Sequence, residues 1–120
     1  MSEAKKYTGS CHCGKVRYEV ELDLSSPVIA CNCSMCGRCG SLLAFVPAER
    51  FKLLSGEEAL KDYQFNRRVI HHVFCSTCGI KPFAKGVNKD GTETRAINTR
   101  CLEGVDIALL KVHHFDGKNQ

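Results

Sequence analysis

Eight of the nine cysteines fall in three short clusters, and no other feature limits the fold so sharply. "GSCHCG" (9–14) carries Cys11 and Cys13, "ACNCSMCGRCGS" (30–41) carries Cys31, Cys33, Cys36 and Cys39, and "FCSTCG" (74–79) carries Cys75 and Cys78. Only Cys101 stands alone. An odd count forbids complete internal pairing. Two members of a Cys-x-Cys pair cannot easily bridge each other within disulfide geometry. With 120 residues and 43% hydrophobic content, the chain can bury a core without covalent staples. Its polar N-terminus, "MSEAKKYTGS", lacks the apolar stretch of a signal peptide, and no segment approaches the ~20 apolar residues that span a bilayer. The expected compartment is the cytoplasm, or the nucleus in a eukaryote, where disulfides are rare. Metal binding is the expected use of such clusters. The net charge of +4 is mild, and no basic run marks a nucleic-acid surface.

The first and third clusters match each other. Cys11-His12-Cys13-Gly14 and Cys75-Ser76-Thr77-Cys78-Gly79 each offer two thiols followed by a glycine, which permits the positive φ of a tight metal knuckle. Two such halves make a closed four-cysteine zinc site of the structural kind. The alternative is two unrelated pairs of buried free thiols. The middle cluster offers Cys31, Cys33 and Cys36 and has no partner pair left to join. Three protein ligands leave zinc one open position, as in catalytic sites. Three thiolates make zinc a poor Lewis acid for water but a good host for a soft incoming thiol. Cys39 leaves an alternative open, because Cys36-Gly37-Arg38-Cys39 could close the site. Cys33, Cys36 and Cys39 also open a ferredoxin-like pattern, but no Cys-Pro completes it.

Several segments alternate with period two. In "KVRYEVEL", Val16, Tyr18, Val20 and Leu22 share one face. "SLLAFV" (41–46), "RVIHHVF" (68–74) and the weaker "ETRAINT" (93–99) read as strands, and "VDIALLKVHHF" (105–115) leans the same way. "GEEALKDY" could hold a turn of helix, and Asp90-Gly91 looks like a hairpin tip. The expected fold is mainly β and antiparallel, with a flexible N-terminus over 1–8 and one zinc-binding domain over 9–120. His71 and His72 point to opposite faces of their strand, so one of them could approach the middle site. His12, His113 and His114 read as surface or packing residues, and Cys101 as a small buried hydrophobe. Arg38 could hold a substrate carboxylate or be a solvated loop charge.

"GSCHCGKVRYEV", "CNCSMC", "RFKLLSG", "YQFN", "HVFCSTCGI" and "HHFDGKN" occur in this order between residues 9 and 119. Together they resemble the glutathione-dependent formaldehyde-activating enzyme family, which also includes centromere protein V. The resemblance implies a β-tent, two curved antiparallel sheets joined by zinc, similar to a nucleotide-exchange chaperone of Rab proteins. It implies a structural zinc on Cys11, Cys13, Cys75 and Cys78 and a catalytic zinc on Cys31, Cys33 and Cys36, two Zn²⁺ per chain. The implied activity joins formaldehyde and glutathione into S-hydroxymethylglutathione, a carbon–sulfur lyase reaction. Asn32 departs from the Cys-His-Cys-x-x-Cys common in that branch, and Cys-Asn-Cys-Ser is more similar to the centromere protein V branch.

Two functions follow as expectations. The first is a zinc-dependent enzyme that adds glutathione or a similar thiol to formaldehyde or another small aldehyde. The second is a non-catalytic, zinc-stapled interaction module.

Overall fold

The computed structural model describes residues 4–64 and 70–116. The described chain is mainly β, in two sheets. Strands β1 (Lys5–Ser10), β2 (Arg17–Leu22) and β5 (Phe51–Ser55) form the smaller sheet, in the order β1-β2-β5. The larger holds β3 (Val28–Cys31), β4 (Leu43–Pro47), β6 (Leu60–Tyr63), β7 (His71–Cys75), β8 (Phe83–Val87), β9 (Glu93–Asn98) and β10 (Val112–Phe115). Its order is β10-β3-β4-β9-β8-β7-β6. Every pairing is antiparallel except that of β10 with β3, which is parallel.

The alternation read in "KVRYEVEL" sets the core. Val16, Tyr18, Val20 and Leu22 are all buried, while their neighbours in sequence face outward or lie half-buried. Tyr18 meets Phe51 of β5 and Phe83 of β8 with ring centroids 5.1 and 5.9 Å apart, and Phe51 meets Phe83 at 4.6 Å. The trio joins the two sheets, and each aromatic pair adds about 0.5–1.5 kcal/mol beyond its buried area. The Tyr18 hydroxyl donates to the Pro82 carbonyl at 3.4 Å, a second tie between the layers.

Three expectations are corrected. Residues 1–8 were expected to be flexible, yet strand β1 begins at Lys5 and pairs with β2 over six residues. Among the described residues of that polar segment only Tyr7 packs on the core, so the sequence carries little apolar signal there. The segment 105–115 is a strand only over Val112–Phe115, because Asp106 caps a short 3-10 turn at Ile107–Leu109 by accepting from the Ala108 N–H at 3.0 Å. The middle cysteine cluster, read as a loop, contains the short helix α1 (Ser34–Cys39), with Cys33 as its N-cap and Gly40 ending it at φ +69°. Asp90-Gly91 lies in the turn between β8 and β9, as expected, and "GEEALKDY" gives one 3-10 turn followed by β6. Residues 65–69, the last two of "YQFN" and the first two of "RVIHHVF" among them, lie outside the described residues, as does the end of "HHFDGKN".

Candidate metal centres

The sulfurs of Cys11, Cys13, Cys75 and Cys78 all lie within 4.8 Å of one another. Cys11 and Cys13 follow β1 in the smaller sheet, whereas Cys75 ends β7 in the larger one. The Cys11–Cys13 and Cys13–Cys75 sulfur separations are 3.5 and 3.6 Å. A tetrahedron with metal–sulfur bonds of ~2.3 Å has sulfurs about 3.8 Å apart, so the quartet fits one zinc ion. Both knuckles use their glycine as expected, with Gly14 at φ +83° and Gly79 at φ +79°. The Gly79 N–H closes its turn on the Cys75 carbonyl at 2.7 Å, and the Val16 N–H donates to the Cys11 sulfur at 3.4 Å.

The electrostatics of the quartet favour a cation. The backbone N–H of Cys78 is foremost in lowering the Cys75 thiol. Burial raises the Cys78 thiol, but N–H groups of Cys13 and Ile80 and the neighbouring thiols outweigh it and bring it down to about 6. Cys13 receives an N–H from Lys15 that lowers it, yet burial and its three sulfur neighbours leave it at about 11. The sulfurs thus compete for negative charge, and a bound cation would let all four ionise together. Cys101 lies near enough to feel the charge of Cys11 and Cys78; with burial first, they push its thiol up to about 11.

The sulfurs of Cys31, Cys33 and Cys36 form the second convergence, again all within 4.8 Å. The end of β3 supplies Cys31, and the first turn of α1 brings Cys33 and Cys36 beside it. Backbone donors point at sulfur here too: the Cys33 N–H at Cys31 and the Cys36 N–H at Cys33, each at 3.4 Å. Burial, then Cys33 and Cys31, push the Cys36 thiol up to about 12, while the Lys81 ammonium pulls it down. Burial also raises Cys33, but the Cys36 N–H and the adjoining thiols outweigh it and lower its pKa. Cys39 does not join the three. It lies exposed at the end of α1, its thiol on the Met35 sulfur at 3.6 Å.

Two cavities meet at this triad, and Cys31, Cys36 and Phe115 line both. The smaller, of about 400 Å³, has Asn32, Ser41, His114 and Asp116 in its wall. Ser41 is buried, and its Oγ has no hydrogen-bond partner among the described residues. The Asn32 amide donates to Asp116 at 2.9 Å. The larger, of about 580 Å³, is lined mainly by apolar side chains, together with His72, Lys81 and Lys85.

The remaining sequence candidates divide cleanly. His72 is buried and faces the larger cavity; burial, then Lys81, lower its pKa to about 4 against the opposing pull of Asp62. His71 points away and pairs with Asp62 at 2.6 Å. His114, read as a surface or packing residue, is exposed and also lines the smaller cavity. Arg38 donates to the Ser34 carbonyl at 2.9 Å on the exposed face of α1 and lines neither cavity at the triad. In the sequence nothing separates Lys81 and Lys85 from the other lysines and arginines. Among the described residues no helix is long and apolar enough to cross a membrane.

A family model described as glutathione-dependent formaldehyde-activating enzyme matches residues 6–115. Among solved structures, the chain is similar to a protein from Rhodobacter sphaeroides, known from its crystal structure. The two share 34% identity and a TM-score of 0.76, over 88% of this chain and 99% of that one.

Proposed function

The chain belongs to the glutathione-dependent formaldehyde-activating enzyme family, and we propose that its three-cysteine site adds a thiol, glutathione or a close relative, to a small aldehyde. The reaction is of the carbon–sulfur lyase type, run toward synthesis. The observation that carries this reading is the contrast between the two sulfur clusters. Four sulfurs form one set, whereas Cys39 turns away from the other and leaves three. We assign one structural zinc ion to Cys11, Cys13, Cys75 and Cys78, and one catalytic zinc ion to Cys31, Cys33 and Cys36. When bound at the three thiolates, zinc would supply a soft positive charge that keeps an incoming thiol deprotonated near neutral pH.

The chain's own residues supply the rest. Cys31, Cys33 and Cys36 are oriented by backbone donors and by the helix turn. That two cavities share Cys31 and Cys36 supports a reading in which each of the two reactants reaches the triad through its own cavity. The polar wall of the smaller one, with Asn32, Ser41, His114 and Asp116, suits a peptide-like thiol. To Lys81, which lines the larger cavity and whose charge is felt at Cys36, we assign the positive charge that stabilises the carbonyl oxygen as it becomes an alkoxide. The sulfur–carbon bond forms as the carbonyl π bond breaks, and the proton lost by the thiol is replaced on the alkoxide oxygen. The free thiols this chemistry needs suit a reducing cytoplasm.

Metal analysis of the purified protein, combined with a glutathione titration, tests this reading. The parent should hold two zinc ions and bind glutathione; Cys36→Ser should hold one and bind none. Mild chelation should strip the three-cysteine site first. Loss of both ions together, or unchanged glutathione binding in Cys36→Ser, would refute the assignment.

A further inference from the structure

We propose that the larger cavity binds the hydrocarbon part of the electrophile, so that the preferred aldehyde of this chain is apolar and several carbons long, or aromatic, rather than formaldehyde. This rests on the reading of the three-cysteine site as a site of thiol addition, and it names the substrate class.

The cavity is far larger than formaldehyde needs. Its volume of about 580 Å³ lies in the ~300–1,000 Å³ range of sites for drug-sized ligands. The wall beside the sulfurs is apolar, while His72, Lys81, Lys85, Asn88 and Thr94 supply the polar part of the lining. Ile29, Leu43, Ala84 and Ala96 pack beside the sulfurs, Phe115 pairs with Cys31 across β10 and β3, and Phe45 also lines the cavity. Formaldehyde has no hydrocarbon to place there. Glutathione, with two carboxylates and an ammonium, has little, and the smaller polar cavity offers it another approach to Cys31 and Cys36.

A second observation is independent of volume. The described residues include nine large hydrophobics that are strongly exposed, and four of them, Phe45, Ile70, Val87 and Phe115, line this cavity. Their exposures are 58%, 49%, 50% and 44%. Scattered apolar side chains need no explanation, but a ring of them around one opening marks a binding site for apolar matter. The three sulfurs and Lys81 sit in the same cavity, so a carbonyl at the sulfurs would trail its hydrocarbon along this wall. The chemistry is the same addition: one sulfur–carbon bond forms, the carbonyl π pair moves to oxygen, a proton follows, and nothing is oxidised.

The test measures, with zinc-loaded protein and glutathione, the catalysed over the uncatalysed rate for formaldehyde, propanal, butanal, hexanal and benzaldehyde. The enhancement in kcat/KM should rise by about fourfold for each methylene from propanal to hexanal, the factor expected for burying one such group. A binding arm needs no activity: 1-hexanol, an unreactive analogue, should shift the methyl NMR signals of Ile29, Leu43, Ala84 and Ala96. Phe45→Asp, at an exposed position, should lower the hexanal-to-propanal ratio.

The outcomes separate. If formaldehyde is accelerated most, the series is flat and hexanol leaves those methyls unmoved, the inference fails while the thiol-addition reading stands. If hexanol moves the methyls but no aldehyde is accelerated, the apolar site stands and the thiol-addition reading, with the proposed substrate, falls. If Phe45→Asp only splits a dimer and leaves the ratio unchanged, the rim is a contact between two copies of this chain and the proposal is overturned.

Discussion

The sulfurs of Cys13 and Cys75 lie 3.6 Å apart, although 62 positions of chain separate them. One follows the first strand of the smaller sheet and the other ends a strand of the larger, so the quartet fastens the two layers.

Cys75→Ser should therefore unfold or aggregate the protein rather than weaken it slightly. Structural zinc sites in small domains are worth about 10–16 kcal/mol, as much as the ~5–15 kcal/mol net stability of a whole domain. Circular dichroism and zinc content check this together. A soluble, cooperatively folded Cys75→Ser protein with two zinc ions would exclude the quartet as the joint.

Cys39 and Cys36 should behave oppositely, though both belong to α1. Cys39→Ala removes an exposed thiol whose contact is Met35, and should leave zinc content and thiol binding nearly unchanged. Cys36→Ala removes a buried member of the triad and should abolish both at that site. Zinc K-edge spectroscopy of the thiol-free protein should count seven sulfurs and one lighter atom over two metals. Eight sulfurs would mean that Cys39 closes the site.

Gly9→Ala should destabilise by about 1–3 kcal/mol, the usual cost of forcing extra volume into a packed core. Gly9 sits opposite Tyr18 in the β1–β2 register, and an added Cβ would come within 2.3 Å of the Tyr18 ring. Tyr18 is fully buried against Phe51 and Phe83, so the ring cannot simply swing aside. Urea denaturation would show the loss; an unchanged midpoint would mean that β1 lifts away from the core at low cost.

His72 should make stability fall on mild acidification. Its pKa, lowered mainly by burial to about 4, lies below the ordinary 6.5. Above pH 6.5 neither the folded nor the unfolded chain protonates it, and its contribution is fully present. Between pH 6.5 and 4 the unfolded chain takes a proton that the folded chain refuses. Stability is then lost at up to about 1.4 kcal/mol per pH unit. Comparing unfolding of the parent and His72→Gln at pH 7 and pH 5.5, both with zinc retained, isolates this term. Equal losses in the two proteins would show that His72 takes no part.

Cysteine spacing and the knuckle glycines identified which thiols converge, because thiols two or three positions apart in one tight turn are brought together by that turn itself. Period-two alternation around Tyr18 identified the buried face of β2, because a strand's side chains point alternately to its two sides. Family likeness was legible from the order of the motifs, and residues 6–115 match the family. Other features depended on contacts between distant residues. Strand β1 was hidden because a polar segment gains its order from pairing with β2 and from packing of a single residue, Tyr7. Helix α1 was hidden because six residues with a central glycine have almost no helix propensity, and the turn is held instead by the Cys33 cap, the Gly40 stop and the site it builds. Lys81, His114 and the apolar ring of Phe45 and Phe115 became neighbours of the triad only when β3, β4, β8 and β10 came together in one sheet. Local spacing carries the information for ligands that share a turn; a cavity wall is built from separate strands, and only their lateral order brings its residues to one place.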